Sequence, residues 1–69
     1  MIGIFKTNIG NTQEKQAMIQ AITSRFEVAS CHVDLDDCDR VLRIGDLRVA
    51  ENIIIDFVQQ QGFLCEVLE

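Results

Sequence analysis

The apolar positions of this chain change their spacing along its length, and each change marks an element. Residues 2–9 are apolar on both alternations, which suits a central strand. Gly10-Asn11 breaks that run. Asn11 can cap a helix, with Glu14 three residues on as its capping-box partner. From Thr12 to Arg25 the spacing becomes helical. Met18, Ile19, Ile22 and Phe26 fall on one side, and Gln13, Gln16, Gln20 and Thr23 on the other. A period of two returns from about Val28 to Leu35, where Ala29, Cys31, Val33 and Leu35 alternate with Ser30, His32 and Asp34. Asp36-Asp37-Cys38-Asp39 predicts a turn, because aspartate bonds its own backbone there. Arg40 to Ile44 then returns as a third strand, which Gly45-Asp46 ends. A second helix is predicted from about Arg48 to Gln61, burying Val49, Ile53, Ile54, Phe57 and Val58, with Gly62 as its stop. Phe63 to Leu68 reads as the last strand.

The order βαββαβ predicts an α+β, ferredoxin-like sandwich: a four-stranded antiparallel sheet with both helices on one face. Right-handed crossovers place the first and third strands in the centre and the second and fourth at the edges. No linker interrupts the pattern, so residues 1–69 are expected to form a single domain.

Such a sheet has a bare side. If Phe5, Val33, Leu35, Leu42, Ile44, Phe63, Cys65 and Val67 face the helices, the opposite phase is left to solvent. That phase carries Ile2, Ile4, Val41, Leu64 and Leu68, with Lys6, Arg43 and Glu66 expected around its rim. A contiguous apolar patch of this kind marks a contact surface, for a protein partner or for self-association.

Composition narrows the classes. A chain of 69 residues that is 48% hydrophobic is one small globular unit, not a disordered segment. Its net charge of −5 repels nucleic-acid phosphates, and its six basic residues are spread along the chain, so nucleic-acid binding is not expected. No apolar run approaches the roughly 20 residues needed to cross a bilayer. The start, Met1 to Lys6, lacks a basic segment and a long apolar stretch, so the expected compartment is the cytosol. Three cysteines are an odd number, which favours free thiols over a disulfide framework.

Four groups of residues could carry chemistry. Cys31, His32 and Cys38 offer soft-metal ligands, but neighbours on a strand point to opposite faces, and Cys38 lies at the hairpin tip, about 20 Å from Cys31 along an extended strand. Asp34, Asp36, Asp37 and Asp39 resemble a calcium loop, yet Cys38 stands at the fifth ligand position, Asp39 replaces the required glycine and Gly45 the closing glutamate. Cys65 falls in the inward phase and is expected to behave as a small hydrophobe. Asn11 and Lys15 could hold an anion at a helix start, although Gly10 stands alone and no glycine-rich cradle surrounds it. The single histidine has no nucleophile pairing, and there is no Tyr or Trp to line a pocket. Catalysis and a cofactor are therefore not expected.

Ile19, Ile22 and Phe26 on the first helix, Val33-Asp34-Leu35 on the second strand and Gly62-Phe63 entering the last strand resemble the heavy-metal-associated domain family of copper chaperones and metal-pumping ATPases. The family's signature is M-x-C-x-x-C in the loop after the first strand. Counting back from Val33-Asp34-Leu35, Thr12 and Lys15 stand where its two cysteines belong. A hydroxyl and an ammonium cannot replace thiolates toward a soft cation. The resemblance implies the family's scaffold with its ligand site removed, and hence a non-catalytic binding or assembly module. The alternatives are a soft-metal carrier using Cys31, His32 or Cys38, and a regulatory small-molecule binder at the sheet edge or helix start.

Overall fold

A computed structural model describes residues 1–68 of the chain. The elements follow the expected order: β1 (Gly3–Thr7), α1 (Thr12–Arg25), β2 (Ser30–Asp34), β3 (Val41–Gly45), α2 (Glu51–Gln60) and β4 (Cys65–Val67). The strands form one antiparallel sheet in the order β2-β3-β1-β4, so β1 and β3 are central and β2 and β4 are edges, as in a small ferredoxin-like α+β fold.

Helix α1 begins as its sequence predicts. Asn11 is extended, and its Oδ1 accepts the Glu14 N–H at 2.8 Å. Glu14 Oε1 in turn accepts the Gly10 N–H at 2.7 Å, one residue earlier than in the usual reciprocal box. The helix closes with the Phe26 N–H on the Ile22 carbonyl at 2.8 Å. Gly62, at φ +96°, stands just after α2 in a conformation that side chains resist.

Several element boundaries differ from those predicted, and three starts have a visible cause. Helix α2 starts at Glu51, not Arg48. Asp46 is left-handed at φ 57°, its carboxylate holds the Arg48 guanidinium at 2.9 and 3.1 Å, and the Leu47 N–H is tied to the Met1 carbonyl at 2.6 Å. These bonds hold the chain in a loop. Strand β4 starts at Cys65 because the Leu64 N–H is taken by Asn8 Oδ1 at 2.8 Å. Strand β3 starts at Val41 because Arg40 is left-handed, at φ 44°. The Arg40 carbonyl accepts the Thr7 hydroxyl, and its guanidinium reaches the Ile9 carbonyl at 3.0 Å.

The core lies between one sheet face and the helices. Phe5, Ile9, Met18, Ile22, Leu42, Ile44, Ile54 and Val58 are its largest fully buried side chains, with Cys31, Val33, Leu47 and Cys65 beside them. Both helices contribute to this cluster, and its strand residues share one phase, so both helices cover the same face. Phe63 and Leu35 pack against it, half-buried.

Several expected core positions are corrected. Ile53 is 43% exposed, because the apolar face of α2 turns through Ile54 and Val58. Phe57 flanks the core instead of anchoring it, meeting Phe26 edge-to-face with ring centroids 5.3 Å apart. Val67 pairs with Phe5 yet remains 36% exposed, since nothing lies beyond an edge strand. Leu47, which the pattern assigned to no element, is buried.

Candidate functional site

The bare side of the sheet is fixed by register. Ile4 lies opposite Arg43 on β3, and the Leu68 N–H bonds the Ile4 carbonyl at 2.9 Å on the β4 side. His32 is opposite Arg43 from the other edge. One row of this face therefore runs His32, Arg43, Ile4, Leu68. In the next row Asp34 pairs with Val41 and Lys6 with Glu66. One step beyond the Phe5–Leu42 pair, Lys6 also comes opposite Val41. That row runs Asp34, Val41, Lys6, Glu66. Ile2 lies just before β1, two residues from Ile4, and is exposed.

The apolar patch expected here takes a different shape. Ile2, Ile4 and Leu68 are adjacent; Ile2 is exposed and the other two are half-buried. Val41 belongs to the face but is only 5% exposed and lies outside the helix-side core. It is flanked by Asp34 and Lys6, and the Lys6 ammonium reaches Asp39 in the β2–β3 turn at 3.7 Å. Long charged side chains cover apolar neighbours with their methylenes in this way. Leu64 is 69% exposed but stands beyond the Lys6–Glu66 pair, apart from the isoleucines. Lys6 and Glu66 form a row that separates Ile4 and Leu68 from Leu64, and Arg43 stands beside Ile4.

The charges of this face balance. Lys6 and Arg43 are positive, Asp34 and Glu66 negative, in a chain whose net charge is −5. Among the described residues, Glu66 and Arg43 have no ion-pair partner, and Lys6 makes only its loose, exposed contact with Asp39. Charged groups left in water keep their hydration until a partner replaces it.

The metal candidates are not brought together. Cys31 is buried on the helix side, His32 points to the opposite face, and Cys38 is exposed at the turn. Burial pushes the Cys31 thiol up to about 11. Burial, with a lesser contribution from the charge of Glu66, pushes Cys65 to about 11 as well. Both are protonated at neutral pH, and a protonated thiol is neither a nucleophile nor a metal ligand. Asp37, Cys38 and Asp39 do cluster, with one ligand atom from each within 4.8 Å of the others. Their carboxylates already serve the turn: Asp37 Oδ1 accepts the Asp39 N–H at 2.8 Å, and Asp39 pairs with Lys6. Asp34 Oδ1 likewise accepts the Asp36 N–H at 3.0 Å.

No family model matches the chain, and no curated protein or solved structure shows significant similarity to it. Two concavities open on the surface of the molecule. One, of about 300 Å³, opens among Lys6, Thr7, Gln59, Leu64, Cys65 and Glu66. The other, of about 230 Å³, lies between the helices at Arg25, Phe26, Ile53, Asp56, Phe57 and Gln60. Ligand sites run from about 300 to 1,000 Å³, so both fall at or below that range. The Thr7 hydroxyl in the first already donates to the Arg40 carbonyl and accepts the Ile9 N–H at 3.3 Å. Asn11 is occupied as the α1 cap, and Lys15 stands half-buried in that helix's first turn. No helix among the described residues is long and apolar enough to cross a membrane.

Proposed function

We propose that this chain is a non-catalytic docking module whose contact surface is the bare face of its sheet. The observation that carries the proposal is the Ile2, Ile4 and Leu68 cluster, set beside the charged pair Lys6–Glu66 on a surface the helices leave uncovered. Apolar area in water favours association at about 25 cal/mol per Å². Interspersed charges supply register and selectivity. The likeness to a heavy-metal-associated scaffold with Thr12 and Lys15 in place of thiolates supports binding through the sheet over binding at the first loop.

A photoreactive amino acid placed at Ile2 or Leu68, and as a control at Gln20 on α1, tests this in cells that express the chain. Cross-linked adducts are expected at the two sheet positions and not at Gln20. Adducts at Gln20 alone, or at none of the three, contradict the proposal.

A further inference from the structure

The docking surface carries a pattern that matches itself. On the β1–β4 seam, Lys6 lies beside Glu66 and Ile4 beside Leu68, in two successive rows. We infer that the occupant of this face is a second copy of the chain, related by a two-fold axis that runs along the seam. This rests on the docking reading above.

A two-fold axis lying in the contact plane, parallel to the strands and between β1 and β4, places β1 of one copy over β4 of the other. Lys6 then stands over Glu66 of the second copy, and Glu66 over its Lys6. The four charges alternate in a ring. In the next row Ile4 stands over Leu68 and Leu68 over Ile4. Both rows become complementary under the same operation. An isologous contact requires this, because each surface must be its own partner. The strands of the two sheets then lie nearly aligned, the common arrangement for stacked sheets.

Charge favours this occupant over others. A molecule of net charge −5 repels its own copy in general, yet this face, with two positive and two negative side chains, is neutral. Copies meeting face to face through these rows bring together side chains whose charges cancel, so the contact adds no local repulsion of its own. A strongly basic or strongly acidic partner would find no matching field here. Glu66 is not engaged in an ion pair among the described residues, and the Lys6–Asp39 contact, at 3.7 Å between exposed groups, is readily exchanged. The acidic turn at Asp36, Asp37 and Asp39 lies at the hairpin end and directs copies away from edge-to-edge pairing through β2. Size sets the strength. A standard interface takes about 800 Å² from each partner, nearly a fifth of this chain's 4356 Å² surface. Two strands' width supplies less, so the dimer is weak and exchanges rapidly.

Sedimentation equilibrium of the full chain from about 10 µM to 1 mM, with urea unfolding of each variant as a check on folding, tests the ring. Glu66→Lys places four positive charges at the seam, and Lys6→Glu places four negative ones; each should weaken association at least tenfold. Mixing the two variants in equal amounts should restore it, as a heterodimer, with a dependence on salt that the wild type shares. The double variant Lys6→Glu/Glu66→Lys rebuilds the alternation and should associate like the wild type. A wild type that stays monomeric at 1 mM overturns the second copy as occupant, while adducts of another mass at Ile2 and Leu68 would keep the docking reading. A dimer indifferent to both single variants and to Ile4→Lys lies on another surface and overturns the two-fold seam, while absence of adducts at Ile2 and Leu68 overturns the docking reading beneath it.

Discussion

Gly3 and the two buried thiols show how single positions limit this fold. Gly3 is buried on the inward phase of β1. A β-carbon placed there would lie 2.8 Å from both Leu47 Cδ2 and Phe5 Cε2, inside the closest approach of such atoms. Phe5 is fully enclosed and Leu47 nearly so, so neither can retreat freely. Gly3→Ala should destabilise the protein by about 1–3 kcal/mol, as overpacking does; a smaller loss in urea unfolding would mean that Leu47 is loosely held. The thiols give a pH window. Cys31 and Cys65 are raised from an ordinary value of 9.0 to about 11, so the folded chain retains protons that the unfolded chain releases. Stability from this source is complete below about pH 9 and is lost as the pH climbs toward 11. Replacing both cysteines with valine should flatten the fall in melting temperature between pH 9 and 11. A fall unchanged in that variant would assign it to other groups. At neutral pH, Cys38 should react first with a maleimide, because it alone of the three is exposed.

At the scale of elements, the sequence was legible wherever period and punctuation agreed. The α1 start is written in Asn11 and Glu14, and its end in the last apolar position, Phe26; all three do what their types predict. The α2 start was not legible, because Arg48, Val49 and Ala50 fit a helix as well as they fit the loop. What excludes them is the tether from Leu47 to Met1, a bond between residues far apart in sequence. The faces of α2 were misread in part for a similar reason. Ile53, Ile54 and Ile55 form an apolar run, and only the packing shows that Ile54 points to the centre. The two phenylalanines test this packing. Phe5→Ala should cost about 3–5 kcal/mol, the range for an enclosed ring. Phe57→Ala should cost less, because Phe57 is half-buried against Phe26 and the Arg25 guanidinium, 5.9 Å from its ring centre. Equal losses, or a larger one at Phe57, would place the centre of the core between the helices and not on the sheet.

At the scale of the molecule, topology and charge decide what can be done. Strand order followed from handedness and element order alone, and the inward phase of β1 followed from Phe5. The patch was only partly legible. Its members Ile2, Ile4 and Leu68 could be placed by alternation, but Val41 is buried beside Lys6, whose ammonium reaches toward Asp39, and Leu64 is set apart by the strand register, which puts the Lys6–Glu66 row between it and Leu68. Side-chain reach of that kind leaves no mark in a hydrophobic pattern. What emerges is a fold whose helices seal one side of the sheet and leave the other neutral in charge and partly apolar.

Whether that side is the contact surface can be read residue by residue from amide chemical shifts as the chain is diluted from 1 mM to 20 µM. The account predicts concentration-dependent shifts centred on Ile4, Lys6, Glu66 and Leu68, falling off through Arg43, with Gln16, Gln20 and Asn52 on the helices unmoved. Shifts confined to the helices, or to the β2 edge and its acidic turn, would contradict it.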